Sequence, residues 1–247
     1  MKALILAAGY GTRLYPYTKN CPKPLLEVNK RPLIEYLIDK LAVIEDLNEI
    51  VIVTNNKFYA HFVQWRQNVS LKHRIVIVND MTSSPEDKLG ALGDMDMVIK
   101  FKGDDDYLVL GGDNFYQDSL AGFVQGAKEK SPFVSIGVSD IHDRKKARSY
   151  GVVDLDDTSR ITRFEEKPPV PHSSFVAMCL YYFPREKIPL FKEYFSNPLH
   201  SRDAMGMFIQ WLVSRDRVFG FLFEHLWADI GQLETYRHLQ ETLARGE

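Results

Sequence analysis

Cysteine is scarce in this chain. Its two copies, Cys21 and Cys179, form no CxxC pair, so neither a disulfide framework nor a thiolate metal knuckle is available. A reducing, cytoplasmic setting is the expectation. No apolar run approaches membrane-spanning length. The apolar stretch at residues 3–8 is too short for a secretory leader, and Arg13, Lys19 and Lys23 follow it closely. Basic excess is missing too: a net charge of -2 offers little to nucleic acid or an anionic membrane. The histidines are scattered without metal-site spacing, and no Ser-His-Asp or Cys-His arrangement points to a covalent nucleophile.

What is present is a 247-residue chain, 45% hydrophobic and 26% charged, long enough for a sizeable core. Residues 2–7 (KALILA) make a continuous apolar strand of the kind buried on both faces. Residues 32–47 put Leu33, Ile34, Leu37, Ile38, Leu41 and Ile44 on one helical stripe, with Pro32 in the first turn. Strands follow at 49–54, 74–78 and 107–110, with helices at 59–67 and 91–99 between them. This β-α-β alternation predicts a Rossmann-like, doubly wound α/β fold with a mostly parallel sheet. After a strand at 133–138 the segments shorten, and strands at 151–155, 161–165 and 175–183 are expected as a small antiparallel sub-sheet. Helices at 184–195 and 204–214, a strand at 218–223 and a last helix from residue 232 complete the pattern. No repeat or long linker divides residues 1–247, which read as one domain.

Ligands of open α/β sheets bind beyond the carboxyl ends of the strands. Gly9 and Gly11 stand there, after the first strand, and let backbone N–H groups approach phosphate oxygens. Residues 1–31 hold six Lys or Arg against one acid, Glu27, so this segment is locally positive. Gly-Tyr-Gly alone is weak evidence. Leu14 replaces the third glycine of a dinucleotide fingerprint, and no Gly-Lys-Ser/Thr of a phosphate loop follows. On Gly-Tyr-Gly alone, a strand-ending turn with solvated lysines is the favoured reading. Asp113 and Asp229, taken separately, are each explicable as turn aspartates. Asp104–Asp106 read as a solvated turn, residues 144–148 (RKKAR) as an exposed face, and Trp211 and Tyr181–Phe183 as core.

The longer string LAAGYGTRLYPYTKNCPKPLLEV changes the balance. It resembles, nearly position by position, the signature of the sugar-1-phosphate nucleotidylyltransferases. LGALGD (89–94), GGDN (111–114), YGVV (150–153), FEEKP (164–168) and WADIG (227–231) follow in the family's order. The resemblance implies a single catalytic domain that joins a nucleoside triphosphate to a sugar 1-phosphate and releases pyrophosphate. It implies Asp113 and Asp229 as Mg²⁺ ligands, and Arg13, Lys23 and Lys167 as cations on the phosphates. It further implies Ala8, Gly9, Gly11, Thr12, Gly90, Asn114, Gly151 and Glu166 as substrate contacts, with Glu166 on sugar hydroxyls. By the same resemblance Gly90 bares backbone to a pyrimidine edge, favouring dTTP or UTP, and glucose 1-phosphate is the default sugar.

Two departures bear on specificity. Cys179 stands where the family often has glycine beside the sugar, and the loop before Leu89 lacks the glutamine with which thymidylyltransferases read their base. Ser83 and Lys88 are the nearest replacements. A cytidylyltransferase, a guanylyltransferase and a non-catalytic nucleotide-sugar-binding regulator are the competing readings. The regulator should have lost Arg13, Lys23 or an aspartate, and has not. No hexapeptide repeat of an acyltransferase domain is present, so a single activity is expected. No nucleic-acid or membrane partner is expected, and self-association stays open.

Overall fold

The structure, a computed structural model, describes residues 1–70 and 72–245. In chain order they form β1 (Lys2–Leu6), β2 (Glu27–Val28), β3 (Arg31–Pro32), α1 (Leu33–Ala42), β4 (Glu49–Thr54), α2 (Tyr59–Gln67) and β5 (Arg74–Asn79). Next come α3 (Ala91–Lys102), β6 (Tyr107–Gly111), β7 (Asn114–Tyr116), α4 (Leu120–Glu129), β8 (Val134–Asp140), α5 (Arg144–Ala147), β9 (Gly151–Leu155) and β10 (Ile161–Glu166). The remainder is β11 (Phe175–Phe183), α6 (Pro189–Ser196), α7 (Met205–Val213), β12 (Val218–Phe223), β13 (Trp227–Asp229) and α8 (Leu233–Arg245). The class is α/β, as the alternation predicts. The chain packs as two compact units: Met1–Leu89 with Leu110–Ser119 and the chain from His225 onward, and Gly90–Val109 with Leu120–Glu224.

In the first unit β1 pairs in parallel with β4, and β4 with β5, in the register Leu4↔Val51 and Val51↔Val76. β4 is buried along its whole length, which is why EIVIVT reads as an unbroken apolar run rather than an alternating one. Helix α1 buries Leu33, Ile34, Leu37, Ile38 and Leu41 but stops at Ala42, short of the expected residue 47. Val43 faces solvent at 60% exposure, whereas Ile44 and Leu47 return to the core through a turn. Their apolar spacing therefore outlasts the helix. A second cluster positions the site: Leu14, Leu26 and Val28 pack with Phe115, Ile230 and Tyr236. Burial of these side chains joins the segment after the glycines to the segment around WADIG, and the Tyr236 hydroxyl donates to the Glu27 carbonyl at 2.6 Å.

In the second unit β8 is flanked by β12 in parallel and β11 antiparallel, and β9 pairs antiparallel with both β10 and β11. The short strands expected as a sub-sheet thus pair antiparallel as predicted. Helix α4 was not expected from the sequence, yet Leu120, Phe123, Val124 and Ala127 form its buried stripe at helical spacing. Phe191 of α6 stacks on Phe208 of α7 at 4.2 Å, so the core here is aromatic. The acidic turn is more than solvated: Asp106 accepts from the Tyr182 hydroxyl at 3.0 Å and from Arg185 N–H at 2.8 Å. Lys145 and Lys146 sit on the short helix α5, whose N–H groups Asp143 caps.

Candidate active site

After β1 the backbone leaves the strand ladder gradually. Ala7 N–H still donates to Val53, and the Ala8 carbonyl accepts from the Asn55 amide at 2.8 Å. Gly9 is exposed, and a Cβ there would meet nothing within 4 Å. Its backbone is open to a ligand. Gly11 is different: its φ is +64°, and a Cβ would lie 3.0 Å from Thr18 Cβ and 3.2 Å from Lys23 Cγ. Thr12 and Arg13 follow in a short 3-10 turn with both side chains exposed.

Tyr10, between the two glycines, escaped sequence reasoning because a single aromatic residue has no periodic signature. It is buried, and its hydroxyl lies 3.1 Å from Thr82 Oγ1. Thr82 donates its one hydroxyl proton to the Asp80 carboxylate, so Tyr10 is the donor to Thr82. Burial pushes the Tyr10 phenol up, which keeps it protonated for this bond. The glycine loop is thereby pinned to the loop before Leu89, whose turn is closed by Asp87 accepting from Ser83 and Ser84 N–H.

Lys23 lies in a second 3-10 turn, and its ammonium donates to Asp113 Oδ2 at 2.8 Å, with side chains 12% and 28% exposed. Gly112 N–H donates to the Leu6 carbonyl, so the turn carrying Asp113 rests on the end of β1. A Cβ on Gly112 would crowd Pro24 Cγ at 3.0 Å and Ile5 Cγ2 at 3.1 Å, so this turn packs closely against both. Asn114 is buried, and both ends of its amide are engaged. Its amide nitrogen donates to Asp113 Oδ1 at 3.2 Å, and its amide oxygen accepts from Trp227 Nε1 at 2.7 Å. The side chain orients Asp113. β7 and β13 pair antiparallel with Asn114 opposite Asp229, and Ile230 N–H donates to the Asp113 carbonyl at 2.9 Å. Both aspartates thus stand at one end of this ribbon, although far apart in sequence.

Can this donor set hold Mg²⁺? Among the described residues no group of three or more His, Cys, Asp or Glu is gathered to cage a metal. Mg²⁺ does not need one: it binds through one or two carboxylates and completes its octahedron with phosphate oxygens and water. Asp113 and Asp229 fit that pattern.

The second unit carries the other expected residues. Gly90 has φ +79°, and a Cβ would lie 2.5 Å from the Arg202 carbonyl oxygen and 2.6 Å from Asp203 Cα. That carbonyl and its Asp203 neighbour accept from Leu92 and Ala91 N–H, capping the start of α3. Close packing therefore accounts for this glycine without a nucleotide base. Gly151 pairs with Glu166 across β9 and β10, and a Cβ on it would run into the Phe164 ring and lie 3.2 Å from Glu166 Oε2. Burial pushes the Glu166 carboxyl up against the opposing pull of Lys167, whose ammonium is 3.6 Å away. Lys167 itself has φ +48°, an uncommon conformation for a residue with a Cβ, of the kind that gathers at functional sites. Glu165 instead faces Arg163 and His172, at 3.1 and 3.0 Å. Cys179 lies where the β11–β8 register shifts, between Ala177 and Tyr181.

The chain is similar to several known proteins. It is 27% identical over 253 residues to the bifunctional protein GlmU of Methanocaldococcus jannaschii, covering 98% of this chain and 55% of that one. It is 28% identical over 251 residues to the UTP–glucose-1-phosphate uridylyltransferase of Synechocystis sp., covering 96% and 61%. The chain thus spans little more than half the length of these curated relatives. A solved Bacillus anthracis chain with a provisional glucose-1-phosphate thymidylyltransferase name, in complex with a sucrose, is 25% identical. The alignment covers 100% of this chain and 96% of that one, with a TM-score of 0.81. A sequence profile of the nucleotidyl transferase family matches residues 2–246, which takes in both aspartates, both lysines and the glycine loop. By that match the chain belongs to the nucleotidyl transferase family.

Proposed function

We propose that this chain joins a nucleoside triphosphate, UTP or dTTP by preference, to a sugar 1-phosphate, releasing pyrophosphate. Glucose 1-phosphate is the first candidate acceptor. The observation that carries the reading is the Lys23–Asp113 pair beside Asp229: a cation and two carboxylates next to an open glycine loop. The names of the uridylyltransferase and thymidylyltransferase relatives support the choice of base and sugar.

The reaction is an in-line displacement. A sugar-phosphate oxygen attacks the α-phosphorus, a new P–O bond forms, and pyrophosphate leaves with the electrons of the broken bond. The attacking group is already an oxyanion, so no side chain has to remove a proton. Repulsion between two polyanions is the main obstacle. Arg13 and the Gly9–Gly11 backbone would hold the triphosphate, while Lys23 and Lys167 neutralise the sugar phosphate. Asn114 keeps Asp113 oriented through the Trp227 bond. Mg²⁺ held by Asp113 and Asp229 would supply charge neutralisation on the phosphates. Glu166 would accept from sugar hydroxyls. Pyrophosphate release, measured over nucleoside triphosphates crossed with sugar 1-phosphates, tests the whole reading.

A further inference from the structure

The Glu166 carboxylate sits in a slot with glycine on two sides. Gly151 of β9 forms one wall. The other is Gly206, in the first turn of α7, where a Cβ would overlap the carboxylate itself. Glycine is unfavourable in a helix relative to alanine. At Gly206 the missing side chain, rather than the backbone conformation, is what the fold uses: the space belongs to Glu166. One helical turn later, Gln210 Oε1 accepts the Glu166 backbone N–H at 2.9 Å. Residues four apart share a helix face, so a single face of α7 meets Glu166 twice. Gly206 leaves room for its carboxylate, and Gln210 holds its main chain.

The chemistry of the slot narrows the ligand. The Glu166 side chain is 12% exposed, and the cation beside it, Lys167, stands 3.6 Å away on a side chain that is 58% exposed. A carboxylate held this way, between glycine walls and with no arginine salt bridge among the described residues, is an acceptor for neutral donors. Vicinal hydroxyls are such donors.

We propose that Gly206 and Gln210 are positioning residues that aim the Glu166 carboxylate at the hydroxyls of the sugar phosphate, an inference that rests on the sugar role given to Glu166 above. The test is steady-state pyrophosphate release with glucose 1-phosphate and UTP, each varied against the other at saturation. Glu166→Gln, Gly206→Ala and Gln210→Met are compared with the wild type. Gln210 is exposed, so Gln210→Met should fold even if Gly206→Ala does not. The expected result is a KM for glucose 1-phosphate raised about tenfold in all three variants, the scale of one lost hydrogen bond to a charged group. The KM for UTP should stay within about twofold, because nothing in this slot is assigned to the triphosphate. If Glu166→Gln raises the sugar KM and Gln210→Met does not, the positioning role is overturned and the sugar reading stands. If Glu166→Gln leaves the sugar KM unchanged, both fall. A loss of kcat with both KM values unchanged would reduce Gln210 to a structural residue and also overturn the proposal.

Discussion

Lys23 Nζ donates to Asp113 Oδ2 across 2.8 Å, tying the turn after the glycine loop to the ribbon that carries both aspartates. The lysine given to the sugar phosphate is thus the counter-ion of a carboxylate given to the metal. Two cations cannot both neutralise Asp113 at full strength, so a metal ion bound there as proposed would compete with the Lys23 ammonium. Lys23→Met should tighten Mn²⁺ binding by about tenfold in the absence of substrates, by electron spin resonance of free Mn²⁺. Unchanged or weaker binding would remove the competition and, with it, the argument that Asp113 faces the metal.

Glu166 gives a pH-dependent prediction. Burial raises its carboxyl above the ordinary value, against Lys167, with Tyr181 and Cys179 on β11 the other titratable groups coupled to this corner. As pH rises through the ordinary glutamate range, the unfolded chain loses this proton first. The folded state then binds more protons, so stability falls until the raised value is passed and is flat above it. Glu166→Gln removes that penalty. The variant should melt higher than wild type at neutral pH, and the gain should vanish below about pH 4. Thermal melts at both pH values check this. A gain that is equal or larger in acid contradicts it.

Gly90 separates packing from recognition. Gly90→Ala places a Cβ against Arg202 O and Asp203 Cα at φ +79°. The expected cost is about 1–3 kcal/mol or more, read as a lowered Tm. If Gly90→Ala folds as stably as wild type and loses only UTP affinity, Gly90 serves the base and the packing account is wrong.

Legibility from sequence followed the strength of local pattern. The strands Glu49–Thr54 and Phe175–Phe183 and the helix Tyr59–Gln67 fell where apolar runs and spacing put them. The ribbon of Asn114–Tyr116 and Trp227–Asp229 did not, because three residues carry no periodicity and their pairing is non-local. Yet that ribbon brings Asp113 to Asp229. Among site residues, resemblance names Asn114 and Gly151 as substrate contacts, and the fold adds a role inside the protein for each. Asn114 orients Asp113, and Gly151 makes room for Phe164 and Glu166. Gly206 and Gln210 left no signal beyond one glycine inside an apolar helix. Their significance depends on Glu166, which reaches them only in the fold.

Nucleotidyl transfer to a sugar 1-phosphate at Asp113 and Asp229 can be read from the rate at which pyrophosphate leaves. Initial rates of pyrophosphate release are taken with each common triphosphate against glucose 1-phosphate, mannose 1-phosphate and phosphocholine at saturating Mg²⁺. The wild type is run beside Asp113→Asn and Asp229→Asn. The fastest release is expected with UTP or dTTP and glucose 1-phosphate. Either variant should fall by about a hundredfold or more, with the fold intact by circular dichroism. No release with any sugar 1-phosphate, a clear preference for CTP with phosphocholine, or near wild-type rates in both variants would contradict this assignment.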